Sequence, residues 1–409
     1  MQLFRSMVTV IVVGTMAAMI FSLRSELAKA KSGEAKAVIA DRPHVFSMSC
    51  KVSSCNKELN TAEGRARAIE WFCKNHITKL WLESYRHAER VETKLLKEER
   101  DAFRAAGFEV CGMITPTKLN DPPEGGEAPF VVCWSDPKAQ ERLATESARA
   151  AKVFDTVIVD DFLFSSCKDN CARCKSLKAK QGLKDWGMFR RELMKDVAWR
   201  SVICAGRNAN PKVQFIIKYP CWYQDWAKNG YDPVAETRMF GECWIGTETR
   251  DANPDAVQGC CLMEAMDRLT GGRCGGGWYD ALDCTPEKFV EQARYTILGG
   301  ARESLVHCYD YLLAKDPGTT PFGEKADRSH ACAEAFSRGV DGLVKLAESL
   351  RGAERKGWKW RDQKCSVSCH YYQKNGRLYV AYQNVTGEPQ KADGHDLAPY
   401  GFLFVGGVK

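Results

Sequence analysis

Short apolar runs alternate along the chain with longer segments in which apolar residues recur every three or four positions. Runs rich in Val, Ile and aromatic residues are typical of strands, and the longer period is typical of helices that bury one face. The runs predict strands near residues 44–50, 78–84, 108–114, 155–161, 213–219, 242–248, 274–280 and 303–309. Strands that alternate with helices indicate an α/β fold with a parallel sheet, and eight such units close most economically as a (β/α)8 barrel, or TIM barrel. We assign this barrel to residues 40–352.

The pattern changes near Gly357, beyond which two aromatic, alternating runs are joined around Asn375 and Gly376. An Asn-Gly pair between two alternating runs is a strong hairpin signal. Residues 357–409 are therefore predicted to form a small C-terminal antiparallel β appendage. It is too short for a complete sandwich, so we expect it to pack on the barrel.

The N-terminus has the features of an export signal. Arg5 precedes a stretch without charge from Met7 to Leu23, and Ala28-Lys29-Ala30 follows as a small-x-small cleavage site. This predicts a signal peptide over residues 1–30 and a secreted, periplasmic or cell-surface protein. An uncleaved signal anchor is the alternative, because the uncharged stretch is near the lower limit for crossing a bilayer. Contact with a membrane is expected only through such an anchor.

Composition and charge narrow the range of partners. With 409 residues, 44% of them hydrophobic, the chain can bury a large core. The formal net charge is +7, or +5 without residues 1–30, and no basic cluster accompanies it, so nucleic acid is not an expected partner. The seven histidines are scattered without metal-binding spacing, and no cofactor is predicted. Nothing in the sequence indicates an oligomeric state.

Candidate chemistry lies where the predicted strands end, since TIM-barrel active sites are built from strand tips and βα loops. Hydrolysis of a glycosidic bond needs two carboxyl groups, one protonated to assist the leaving oxygen and one ionised as nucleophile or base. The catalytic candidates at these ends are Asp160, Asp161, Glu248 and Asp280. Aromatic rings stack on sugars, and charged groups bond their hydroxyls. The predicted substrate-binding residues are Glu83, Arg86, Lys218, Trp222, Tyr223, Arg250, Trp278 and Tyr309.

Each acid also has a structural interpretation. Side chains alternate along a strand, so one of Asp160 and Asp161 is expected to face the barrel mouth and the other the helix layer; which one is left open. Glu248 is either an acid catalyst or an ion-pair partner of Arg250. Asp280 follows a glycine run that lets another backbone or a ligand approach. Glu83, Arg86 and Lys218 are alternatively ion-pair partners only.

The nineteen cysteines are numerous, and in an exported chain they predict disulfide bonds. Cys167, Cys171 and Cys174 form a C-x3-C-x2-C motif, the spacing of radical S-adenosylmethionine enzymes. This motif follows the fourth predicted strand rather than the first, and export opposes an iron–sulfur cluster. As a zinc site it lacks an obvious fourth ligand, with only Asp169 as a substitute. A disulfide-stapled loop is predicted, with a structural metal and an iron–sulfur centre as the alternatives.

Five segments resemble a known group. VIVDDF, IKYPCWYQDW, WIGTETR, GGWYD and EQARYTILGGAR, within residues 44–315, are similar to segments of exported bacterial glycoside-hydrolase-like TIM-barrel proteins. The resemblance implies a TIM barrel that acts on glycans. It also implies a strand-four acid working with one from strand six or seven, which maps onto Asp160 or Asp161 with Glu248 or Asp280.

The sequence therefore predicts an exported glycosidase that cleaves an oligosaccharide or polysaccharide with a carboxylate pair. Two other hypotheses stay open: a barrel that binds glycan or serves as a cell-surface structure without catalysis, and an iron–sulfur enzyme of the radical S-adenosylmethionine type.

Overall fold

The computed structural model describes residues 42–119, 132–248, 257–316 and 329–408, apart from residues 166, 168, 170 and 362. A parallel barrel forms the main body of this part of the chain, and its closure is made by the first strand, which pairs with both the second and the last. A two-residue strand, β3, adds antiparallel to the end of β2. The strands are β1 Val45–Cys50, β2 Ile77–Arg86, β3 Glu89–Arg90, β4 Glu109–Ile114, β5 Thr156–Val159, β6 Gln214–Tyr219, β7 Glu242–Gly246, β8 Cys274–Asp280 and β9 Glu303–His307. The predicted (β/α)8 barrel is confirmed.

Helices connect the barrel strands, and several begin at a Ser, Thr or Asp whose side chain accepts a hydrogen bond from the first turn. These capping residues are Thr61, Asp136, Asp185, Asp232, Thr285 and Ser329. The α-helices are α1 Val52–Lys57, α2 Ala62–Lys74, α3 Thr93–Ala105, α4 Pro137–Ala151, α5 Ala172–Lys180, α6 Trp186–Val197, α7 Ala205–Ala209, α8 Trp226–Asn229, α9 Pro233–Phe240, α10 Val257–Thr270, α11 Pro286–Leu298, α12 Tyr309–Leu312 and α13 His330–Leu350. A π-helical segment, Ala198–Cys204, joins α6 to α7.

The barrel interior is a packed layer of large side chains. This buried cluster consists of Trp81, Cys111, Met113, Ile158, Ile216, Trp244, Trp278 and Leu305. Its members alternate along their strands with residues that pack against the helices, as the pleat requires. A Cβ at Gly276 would lie 2.6 Å from the Trp244 ring, so this glycine of β8 makes room for the core.

The C-terminal appendage is a four-stranded antiparallel sheet with a small additional hairpin. Its strands are β10 Glu354–Trp360, β11 Val367–Lys374, β12 Arg377–Asn384, β13 Gln390–Ala392, β14 His395–Leu397 and β15 Phe402–Val408. Asn375 and Gly376 link β11 to β12 with φ angles of 52° and 74°, as the predicted two-residue turn requires. The sheet contacts the barrel helices, since Tyr372 donates to the Leu298 carbonyl at 2.8 Å. The predicted appendage is confirmed.

The predicted signal segment, residues 1–30, lies outside the described residues. Within the described ranges, no helix has both the length and the apolarity needed to cross a membrane. All nineteen cysteines are described, and no two of their sulfur atoms are at disulfide-bonding distance.

Candidate active site

Lys218 is the centre of a group of acids at the C-terminal end of the barrel. Its Nζ lies 2.6 Å from Asp161 Oδ2, 3.4 Å from Glu248 Oε1 and 3.6 Å from Asp160 Oδ1. The lysine side chain is 4% exposed, and its ammonium group stands 4.6 Å from the centre of the Trp278 ring. Burial opposes the charge of Lys218, but Asp161, Glu248 and Asp160 outweigh it and raise the pKa of the lysine. Lys218 therefore remains a cation shared by three carboxyl groups.

A second buried cation, Arg86, holds Asp160 from the other side. Its Nη2 lies 3.1 Å from Asp160 Oδ2, and its Nε lies 2.8 Å from Glu83 Oε1. The Thr115 hydroxyl donates to Glu83 and lies 3.2 Å from Asp160 Oδ2. Glu83 also accepts a hydrogen bond from the Val52 backbone N–H at 3.1 Å. This network fixes Asp160 from several directions.

Asp160 and Asp161 are adjacent in sequence, yet their proton affinities differ. Burial disfavours ionisation of Asp160, but Lys218 and Arg86 outweigh it and hold its pKa below the ordinary carboxyl value. Burial also raises the pKa of Asp161, and there the carboxylates of Asp160 and Glu248 offset the help from Lys218, so that its pKa is about 7. One acid is therefore ionised at neutral pH, while the other is partly protonated.

Both aspartates reach the same lysine because β5 ends at Val159. Asp160 lies two residues after Ile158, whose side chain faces the barrel interior, and so continues the inward-facing side of the strand. Beyond it the chain turns: the Asp161 backbone N–H donates to Asp160 Oδ1 at 2.8 Å, and the Tyr231 hydroxyl donates to the Asp161 carbonyl. The expected division, with one acid at the barrel mouth and the other in the helix layer, is not observed.

Glu248 reaches Lys218 from the end of β7. A Cβ at position 246 would collide with the Glu248 carboxylate, so glycine at that position gives this side chain its place. Its predicted neighbour Arg250 lies outside the described residues, so the alternative ion pair stays a prediction.

Asp280 ends β8, and its Oδ1 accepts a hydrogen bond from the Leu282 backbone N–H at 3.1 Å. The same strand supplies Trp278, whose ring lies 4.8 Å from that of His307. The acids at the barrel mouth thus have a buried aromatic residue beside them.

Three other predicted binding residues follow the ends of β6 and β9. Trp222 packs against Phe164 and Tyr231, with ring centres 5.4 Å and 5.7 Å away, and Tyr223 is 49% exposed. Tyr309 points toward the helix layer, where its hydroxyl donates to Glu58 at 3.2 Å and its ring contacts Phe72. The structure does not bring Tyr309 together with the acids.

Some residues of this region have no clear signal in the sequence. Thr115 and Tyr231 bond the catalytic candidates, but a threonine after a strand and a tyrosine before a helix are common. Asp310 accepts bonds from the backbone N–H groups of Lys51 and Ser54, and so holds the start of α1. These side chains could be recognised only from contacts between distant parts of the chain.

The expectation that the C-x3-C-x2-C motif lacks a fourth sulfur ligand is wrong. Cys133, 34 residues before the motif, is buried together with Cys167, Cys171 and Cys174. Asp169, the predicted substitute, instead pairs with Arg190 at 2.6 Å.

Residues 33–332 match the family described as "Probable glycosyl hydrolase, catalytic domain". The chain belongs to this family. The predicted membership of a glycoside-hydrolase family is confirmed.

The known proteins that are similar to the chain include an archaeal protein and a bacterial fucosidase. An uncharacterized protein of Saccharolobus solfataricus is 26% identical over 237 residues, which cover 52% of this chain and 39% of that protein. The structure of alpha-L-fucosidase isoenzyme 2 from Paenibacillus thiaminolyticus superposes with a TM-score of 0.52 at 11% identity, covering 77% of this chain and 51% of that one. The chain thus spans about two fifths to one half of these proteins. The likeness to the fucosidase concerns the fold.

Proposed function

We propose that the protein is an exported glycoside hydrolase that cleaves an oligosaccharide or polysaccharide with Asp161 and Glu248. The observation that carries this proposal is the shared lysine, because Lys218 contacts an acid after the fourth barrel strand and an acid after the sixth. Membership of a glycosyl hydrolase family supports the reaction class.

Asp161 is assigned as the general acid. With a pKa of about 7 it carries a proton in a substantial fraction of molecules at neutral pH and can give it to the leaving oxygen. Glu248 is assigned as the ionised partner, which Lys218 stabilises as an anion at 3.4 Å. Asp160 is a positioning residue, because Arg86, Thr115 and the Asp161 N–H already occupy its oxygens.

The contacts of the two carboxyl groups with Lys218 allow retention of configuration. Asp161 Oδ2 and Glu248 Oε1 contact the same nitrogen at 2.6 Å and 3.4 Å, so these oxygens are at most about 6 Å apart. Retaining enzymes place their carboxyl groups about 5 Å apart, whereas inverting enzymes need about 6.5–9.5 Å to admit a water. In a retaining mechanism Glu248 would attack the anomeric carbon, and water would later release the glycosyl group.

The aromatic residues around this group suit a sugar. Tyr223, which is 49% exposed, and the partly buried Trp222 offer faces for stacking beside the acids. The proposed secretion, or exposure at the cell surface, rests on the N-terminal signal alone and agrees with a polymeric substrate outside the cell.

The test begins with a panel of 4-nitrophenyl glycosides and soluble polysaccharides, followed by NMR of the first anomer released. On the best substrate, Asp161→Asn should lower kcat about 10²–10⁴-fold, with a smaller loss for a 2,4-dinitrophenyl leaving group, which needs no protonation. Glu248→Gln should lose activity with both leaving groups. Glu109→Gln, at the opposite end of the barrel, is the control and should retain full activity.

Full turnover in Asp161→Asn and Glu248→Gln would contradict the assigned pair. Binding of a polysaccharide without release of sugar from any compound in the panel would favour the non-catalytic barrel instead.

A further inference from the structure

We propose that Cys133, Cys167, Cys171 and Cys174 bind one zinc ion and thereby fasten together the loops that follow β4 and β5. The four Sγ atoms all lie within 4.8 Å of one another, and all four residues are buried. They come from two separate parts of the chain that the barrel fold brings side by side.

The sulfur atoms have the spacing of a tetrahedral site. With Zn–S bonds of about 2.3 Å, sulfurs at the corners of a tetrahedron are about 3.8 Å apart. Cys133 Sγ lies 3.7 Å from Cys171 Sγ and 3.9 Å from Cys174 Sγ. A disulfide would require about 2.05 Å between paired sulfurs. An iron–sulfur cluster would need more space between its thiolates than these four leave.

The sequence around the motif supports a closed structural site. Cys171 lies immediately before α5 and Cys174 lies in its first turn, so the helix start presents two sulfurs on the same side. Four ligands from protein side chains leave no open coordination position, which is the arrangement of structural rather than catalytic zinc.

Polar side chains surround the cysteine cluster. The Ser135 hydroxyl lies 3.3 Å from Cys174 Sγ, within hydrogen-bonding distance. The buried guanidinium of Arg190 donates to the Cys167 carbonyl at 2.8 Å, and Arg173 beside Cys174 pairs with Asp136 at 2.6 Å. Outer contacts of this kind orient metal ligands.

The same two loops lead to the acids of the barrel mouth. Trp134, next to Cys133, donates from its indole to the Phe164 carbonyl at 2.7 Å. Phe164 packs against Tyr231, whose hydroxyl bonds the Asp161 carbonyl. A metal at the cysteines would therefore stabilise the turn that holds Asp161. An effect of this turn on catalysis rests on the proposed function.

The first experiment measures metal in the full chain, purified without chelators from zinc-containing medium. We expect about one zinc per chain, without iron or acid-labile sulfide. Replacement of zinc by Co²⁺ should give thiolate-to-cobalt charge-transfer absorption in the near ultraviolet, together with the visible bands of tetrahedral cobalt.

Variants then assign the ligands. Cys133→Ser and Cys174→Ser should lose most of the zinc, whereas Cys111→Ser, buried in the barrel interior, and Cys73→Ser, on the surface, should keep it. If a ligand variant does not fold, the cobalt spectrum of the unmodified chain still reports the four thiolates.

Metal-free protein in which peptide mapping finds the four cysteines in disulfides would overturn the proposal, as would iron with sulfide or zinc retained in both ligand variants. Zinc content does not depend on turnover, so a failed glycosidase assay and a failed metal assay are separate results.

Discussion

The two ends of the barrel bury charge in opposite ways. At the N-terminal end, Lys79 Nζ lies 2.9 Å from Glu303, which also accepts a bond from the Trp81 indole at 2.8 Å. A second acid, Glu109, reaches Lys79 at 3.1 Å with 62% of its side chain exposed. One buried cation thus meets one buried anion.

At the C-terminal end the balance is uneven. Two buried cations there, Arg86 and Lys218, are shared by the carboxyl groups of Glu83, Asp160, Asp161 and Glu248. Ionisation of all four acids beside these two cations is unfavourable in a poorly solvated site. Burial, together with the neighbouring carboxylates of Asp160 and Glu248, raises the pKa of Asp161. The buried pair of one cation and one anion at the N-terminal end stabilises the fold. The excess of acids at the C-terminal end provides a carboxyl group that can transfer a proton.

The largest expected effect comes from removing the shared cation. Lys218→Met should lower kcat by at least about 10²-fold, because the acids lose the charge that keeps one of them ionised. Loss of that charge should also raise the pKa of Asp161, so the alkaline limb of the pH–rate profile should move to higher pH. The profile is measured on the best substrate of the panel, with folding checked by circular dichroism.

Lys79→Met is the matched change at the other end and should leave that profile in place. A profile that moves equally in both variants would remove the distinction between the two ends.

The next effect concerns stability at the balanced end. Lys79→Met leaves Glu303 buried without its cation, and we expect the free energy of unfolding to fall by about 3–5 kcal/mol in urea titrations. Glu109→Gln should change it by less than about 0.5 kcal/mol, because the exposed carboxylate is screened by solvent. Equal losses of unfolding free energy in the two variants would show that burial of the carboxylate that pairs with Lys79 does not determine the size of the destabilisation.

The smallest effect is the pH dependence of the unmodified protein. Asp161 must hold its proton to act as the acid, so kcat/KM should fall about tenfold for each pH unit above a pKa of about 7. Asp161→Asn, assayed with a 2,4-dinitrophenyl glycoside, should lack this alkaline limb. An unchanged limb in that variant would assign the titration to another group.

The sequence by itself predicts the eight strands, the hairpin at Asn375-Gly376 and the acids at the strand ends. Each depends on local physical rules: the pleat sets the alternation of apolar residues, the turn needs two positive φ angles, and parallel strands of a barrel end on one face. For this reason one of the two aspartates, Asp160 or Asp161, could be predicted to lie near Glu248 at the barrel mouth without knowing their partners.

Only the tertiary structure decided which groups share a charge and which sulfurs meet. The turn after Val159 directs Asp161 to Lys218, although strand parity favoured a division of the two acids. Cys133 joins the C-x3-C-x2-C motif across 34 residues, which no local spacing reveals. A sequence pattern predicts the environment that a residue has within its own strand or helix. Proton affinity and metal binding depend instead on distances between separate loops, and these distances are set by closure of the barrel.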